Sequence, residues 1–327
     1  MFEHPFAAEL LCAPAGVALL DALEVFQRRD VAWFETPSTS SPRAVERAAG
    51  AIEQMSFGEF LRIIVSSAEN VGSWRSDAPG RLINAYRNAP ARTSIAEAVA
   101  ARFAVELGQD VGLAAQESWG SPDGFGVPLF ADHDRVYCCG EFSWAGLRTV
   151  TDPPPEVHDD LVSAWEMESP EPIARWRLPV TPGARVFEVH GAEDWARLVR
   201  TYPRCPVGPH GSWELPGPNQ HPSDVHDLAI VSAGAAARTA VAVAMPHWSR
   251  VAADFDGVHL SWKGLIAAEG RVVPVPELGE NVVTMLRYWS SERTLWLNDV
   301  FGQRELLGSV TADSPHSWNG LTTSTEP

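Results

Sequence analysis

Apolar spacing changes character once along this chain, and that change constrains the fold more than any single motif. Up to Leu107 apolar residues recur at helical intervals; from Gln109 to Asp134 the periodicity disappears, and later segments alternate between strand and helix patterns. Ala15 to Arg29 places Val17, Leu20 and Leu23 near one face, with Pro14 just before it. After the linker Thr36 to Pro42, a helix is expected with Ser41 as its cap, Pro42 in its first turn, and Val45, Ala49 and Ile52 on a stripe. Phe57 to Ala68 is the most apolar helical segment, and two more are expected over Ala78 to Asn88 and Ser94 to Leu107. Ser94 and Glu97 have the spacing of a capping box. Residues 1–110 therefore read as a helical bundle.

Residues 111–168 read as a loop-rich connection. Gly120, Pro122, Gly124, Gly126 and Pro128 break all periodicity between Gln109 and Asp134. Arg135 to Cys139 and Leu147 to Thr151 then read as a strand pair, and Glu156 to Trp165 as a short helix. The Pro and acidic residues of Ser169 to Pro172 mark a boundary. From residue 169 to 308 strands and helices alternate. Ala184 to His190 reads as a strand followed by a helix over Glu193 to Thr201, and Trp248 to Asp254 as a helix. Val282 to Tyr288 and Thr294 to Leu297 read as closing strands, and 309–327 as a flexible tail. The expected fold class is α+β: an N-terminal helical bundle, then a mixed α/β part with a central, partly antiparallel sheet.

Within that second part, Asp254 to Gly264 stands out. A short apolar run follows Asp256-Gly257 and turns abruptly into His259-x-Ser261 and a new helix, leaving polar side chains at a strand end. Alternation puts His259 and Ser261 on the same face.

Composition narrows the function classes. The 42 acidic against 25 basic residues give a formal charge of −17, which opposes nucleic acid and anionic membranes. Lys263 is the only lysine, a bias expected of a GC-rich bacterial genome. Cys12, Cys138, Cys139 and Cys205 lack metal-type spacing and read as free thiols of a reducing compartment. The first residues, Met1 to Pro5, do not resemble a signal peptide, and no run reaches the ~18 apolar residues of a membrane span. A cytoplasmic location is the expectation. His210, His221 and His226 have no zinc-type spacing and read as loop and helix-start residues, so no metal is expected. Serine-hydrolase, metalloprotease, P-loop and dinucleotide-fold signatures are absent from the sequence.

One ordered set remains: Arg185 on a strand, Ser261 at a strand end, and Glu292 just before the strand Thr294 to Leu297. This order resembles the Arg–Ser–Glu arrangement of the ADP-ribosyltransferase superfamily. The resemblance implies NAD as substrate, with Arg185 on its phosphates, His259 and Ser261 lining the nicotinamide pocket, and Glu292 directed at the nicotinamide ribose. A carboxylate there stabilises the oxocarbenium character that builds as the glycosidic bond breaks. Trp262, Trp289 and Trp296 would then offer faces for stacking on the bases. Lys263 stands where the family commonly repeats Ser or Thr, and Ser290 where arginine-modifying members carry an acid, so NAD cleavage or a different acceptor is implied. The same residues also admit a purely structural reading: Arg185 pairing at a strand edge, Ser261 capping a helix, and Glu292 in a solvated turn. A second functional expectation is a non-catalytic interaction protein, its loop tryptophans Trp119, Trp144 and Trp213 forming a recognition surface for a protein partner.

Overall fold

The computed structural model describes residues 2–26, 40–68, 78–120, 147–158, 160–161, 173–204, 242–286, 289 and 291–310. Helices come first: α1 (Pro5–Cys12), α2 (Pro14–Phe26), α3 (Pro42–Ile52), α4 (Phe57–Ala68), α5 (Ala78–Asn88) and α6 (Thr93–Leu107). Prolines at the starts of α1 and α3 supply a preset φ where no amide donor is needed. Two capping expectations are corrected. Ser41 precedes α3, but its side chain does not cap; its amide instead donates to Glu24. Ser94 lies inside α6, whose start is continuous with a tight turn over Ala89–Arg92, and Glu97 instead accepts the amides of Glu3 and His4 ahead of α1. The capping box is at α4, where Ser56 Oγ accepts from the Glu59 amide and Glu59 accepts from the Ser56 amide.

The remaining elements are β1 (Gln116–Gly120), β2 (Leu147–Thr151), β3 (Ile173–Arg177), β4 (Val186–Val189), α7 (Ala192–Thr201), β5 (Pro203–Arg204), β6 (Ala242–Val243), β7 (Met245–Pro246), α8 (Trp248–Asp254), β8 (Gly257–Leu260), α9 (Trp262–Ala268), β9 (Val272–Pro274), β10 (Val282–Met285), β11 (Arg293–Trp296) and β12 (Glu305–Val310). The protein is α+β. Its main sheet runs β12-β3-β1-β2-β11-β8-β4, antiparallel throughout except for the parallel pair β4 and β8.

Several strands depart from the sequence reading. β1 lies where a loop is expected, and β3 carries no apolar alternation that would announce it. β10 joins a separate small sheet with β6 and β9 rather than closing the main one. β12 runs into the expected tail, and its register shifts between Leu306 and Gly308, where the glycine adopts φ +140°. Of the helix expected over 156–165, the described residues show the tight turn Pro155–Val157 leading into helical backbone at His158, Asp160 and Leu161. The expected strand at 135–139, the boundary at 169–172 and the histidines 210, 221 and 226 lie outside the described residues.

One hydrophobic core joins the helices to one face of the sheet, running from Phe6 and Leu20 through Phe60 and Phe103 to Val258, Leu260, Leu295 and Leu297. Strand alternation turns the other face a different way. One end of that face is apolar, packed from Leu147, Leu178, Val180 and Trp296. The other end is polar, and a strap leading from α6 to β1 crosses it. Gly112 permits the close approach of the strap, since a Cβ there would stand 2.8 Å from the Thr151 methyl. No single helix among the described residues is long and apolar enough to cross a membrane; α1 and α2 reach that length only together, bent by 95°.

Candidate functional site

The polar end of the sheet is assembled by register. β4 and β8 run parallel, with Glu188 beside His259, and helices α7 and α9 leave from their carboxyl ends. In sheets built this way, that end is where ligands are commonly held. His259 faces Thr294 on β11, and Glu292 follows on the same face by alternation.

His259 is the middle of a row. Its Nδ1 lies 2.5 Å from Glu188 Oε2 and its Nε2 lies 2.9 Å from Glu292 Oε1. Burial alone would favour the neutral ring, but the hydrogen bonds to Glu188 and Glu292 outweigh it and push the pKa up to about 9. The imidazolium is therefore the expected form near neutrality. Glu292 is only 2% exposed, so it is not a solvated turn residue. The Thr151 amide, beyond the last pair of the β2–β11 ladder, donates to both its oxygens. Glu188 is the more open end of the row: its side chain keeps 22% exposure, and its second oxygen accepts the Val111 amide from the strap at 3.1 Å.

Beside this row lies a second set. His190, the residue after β4, places Nδ1 2.9 Å from Ser261 Oγ and Nε2 3.0 Å from Asp110 Oδ1. Ser261 is buried, and its oxygen caps α9 by accepting the Gly264 amide at 3.0 Å. The order Ser261, His190, Asp110 has the connectivity of a nucleophile triad. Its serine, however, is 1% exposed and committed to the helix cap, so attack by Ser261 is not supported. Gly264 is held close to the end of β4; a Cβ there would stand 2.1 Å from the Val189 carbonyl oxygen.

A supporting network continues across the same face. Thr149 donates to Gln116, Gln116 donates to Thr151 Oγ1 at 2.9 Å, and Trp296 Nε1 donates to Thr149 at 2.7 Å. These bonds satisfy polar groups beneath the strap.

Of the residues singled out by sequence, His259, Ser261 and Glu292 share this end of the sheet. Arg185 does not. Its backbone aligns with Asp256, whose carboxylate accepts its amide at 2.8 Å. From Asp256 to Ser261 the strand direction covers roughly 16 Å. The expected convergence of Arg185 on the others is therefore corrected: it lies at the opposite strand end. Trp262, Trp289 and Trp296 are corrected as well, because all three are buried in the cores rather than turned to a ligand. Trp119 is buried too, while Trp144 and Trp213 lie outside the described residues. Asp110, Glu188 and His190 were not anticipated as site residues. Glu188 and His190, two positions apart, mark a polar strand end in the sequence, but nothing there indicates that Asp110 meets it.

No protein-family model, curated protein or solved structure matches the chain.

Proposed function

We propose that the chain is an enzyme that cleaves a ribosyl glycosidic bond of a nucleotide-type substrate, NAD being the first candidate, with Glu188 as the carboxylate facing the ribose. The observation that carries this reading is the position of Glu188. It is the accessible end of an otherwise buried Glu188, His259, Glu292 row, with one oxygen fixed by His259 and the other by the Val111 amide. A carboxylate held in this way is preorganised to stabilise positive charge developing at an anomeric carbon. Glu292 becomes a positioning residue that holds His259, and His259 holds Glu188. Asp110, exposed at the rim and hydrogen-bonded to His190, would accept the proton from water or another acceptor. The choice of NAD comes from the Arg–Ser–Glu resemblance alone, and the phosphate role of Arg185 is dropped because of where Arg185 sits.

Incubation of the full chain with NAD, with nicotinamide followed by chromatography, tests the reading. Release is expected, with kcat falling at least ~100-fold in E188Q, an effect of the size general and electrostatic catalysis by one group supplies. R185A should leave the rate unchanged. Absence of both release and an NAD-induced thermal shift, or full activity in E188Q, overturns it.

A further inference from the structure

We infer that Asp110, Glu188 and His190 form a binding site for a divalent transition-metal cation. One ligand atom from each lies within 4.8 Å of the other two. His190 Nε2 and Asp110 Oδ1, 3.0 Å apart, already match the edge of a coordination shell with bonds of about 2.1 Å. Asp110 has 76% side-chain exposure, so its carboxylate is free to turn toward an ion. A cation has open access, because His190 retains 26% exposure.

The donors and their supports select the kind of ion. One imidazole and two carboxylates suit zinc, manganese or iron(II) rather than a cation that prefers only oxygen or only sulfur. Three protein ligands also leave positions for water or another ligand. Each inner group is held from behind. His190 Nδ1 faces Ser261 Oγ, which is fixed by the Gly264 amide, and the His190 amide donates to Asp194. Glu188 is held by His259 and by Val111. Outer contacts of this type orient metal ligands and raise affinity.

Ser261 can also serve His190 as a partner behind the site. Its single hydroxyl hydrogen has two acceptors within reach, His190 Nδ1 at 2.9 Å and the Val189 carbonyl at 3.4 Å. Ligation by Nε2 needs the ring hydrogen on Nδ1, where Ser261 Oγ can accept it while sending its own hydrogen to Val189.

This inference is independent of glycosidic cleavage and competes with it, because a bound ion would occupy the Glu188 oxygen assigned to the ribose. Calorimetric titration of the chelator-treated full chain with Zn²⁺, and the visible spectrum with Co²⁺, test it. One site is expected, weakened at least ~10-fold in D110N and in H190N and unchanged in H247N, with the Co²⁺ bands lost in H190N. The exposure of Asp110 makes D110N the variant least able to disturb folding, which circular dichroism verifies. No binding by the wild type, or equal affinity in D110N and H190N, overturns the site. Nicotinamide release from the same samples keeps the two proposals apart. Release without ion binding overturns only the metal site, whereas ion binding without release in chelator overturns only the glycosidic reading.

Discussion

His259 Nε2 and Glu292 Oε1 meet at 2.9 Å although the ladder between β8 and β11 sets His259 opposite Thr294. The contact is diagonal, reached because Glu292 stands two positions before Thr294 on the same sheet face. It closes the buried end of the row and leaves Glu188 as the end that reaches solvent.

Removing the centre of that row leaves two carboxylates facing each other in a buried place. H259L is expected to cost about 3–5 kcal/mol, the loss typical when one partner of a buried ion pair is deleted. Urea unfolding followed by tryptophan fluorescence measures it. A loss below about 1 kcal/mol would show that the row is not an ion cluster.

The raised pKa of His259 gives stability a defined alkaline limb. Relative to its ordinary value of 6.5, a folded value of about 9 means that its contribution is full below about 6.5 and is lost as pH rises through about 9. The slope is at most ~1.4 kcal/mol per pH unit for one proton. In E292Q one supporting charge is gone, so the folded value falls toward 6.5 and the decline should be smaller and end at lower pH. Unfolding free energies measured across this range check both statements.

An acidic limb is expected from the other end of the molecule. For Glu24, burial works to raise the pKa, but hydrogen bonds from Ser40 and Arg92, the charge of Arg92 and the Ser41 amide together lower it below 4.5. Its contribution is therefore present above about 4.5 and is lost as pH falls further. R92L, which strips a buried guanidinium from Glu24 and Asp21, should cost about 3–5 kcal/mol at neutral pH. The acidic limb should also flatten, since burial at Glu24 would then be opposed only by the hydrogen bonds from Ser40 and Ser41. A variant that keeps the wild-type slope contradicts the pairing.

At the helix that follows β8, G264A should destabilise by about 1–3 kcal/mol through overpacking. The added methyl meets the Val189 carbonyl and cannot be absorbed without moving the end of β4. S261A, by contrast, removes a cap worth about 1 kcal/mol and frees His190 Nδ1. Thermal unfolding of the pair should rank G264A as the more damaging.

What the sequence reveals here is set by how local the cause is. Phe57 to Ala68 and Trp248 to Asp254 match their helices because apolar spacing within a few turns decides them. Glu188, His259 and Ser261 fall on the polar face that period-two alternation assigns. β1 stays hidden because Gln116, Glu117 and Ser118 are buried polar residues, acceptable only through partners such as Thr149 on β2 and Arg175 on β3. Ser94 and Glu97 mislead for the same reason: local spacing suggests a cap, while the carboxylate is taken by amides near the N-terminus. Asp110 reaches His190 across 80 positions, and no local pattern encodes such a meeting.

The strap carrying Asp110 and Val111 has a consequence for dissection of the molecule. It is the direct continuation of α6, and it delivers one carboxylate and one amide to groups on β4. A fragment beginning after residue 168 would retain Glu188, His190, His259 and Glu292, yet expose Glu188 without its amide partner and His190 without its acid. The N-terminal helices and the strand-end groups are thus inseparable in any truncation series: the cut that removes the helices also dismantles the chemistry.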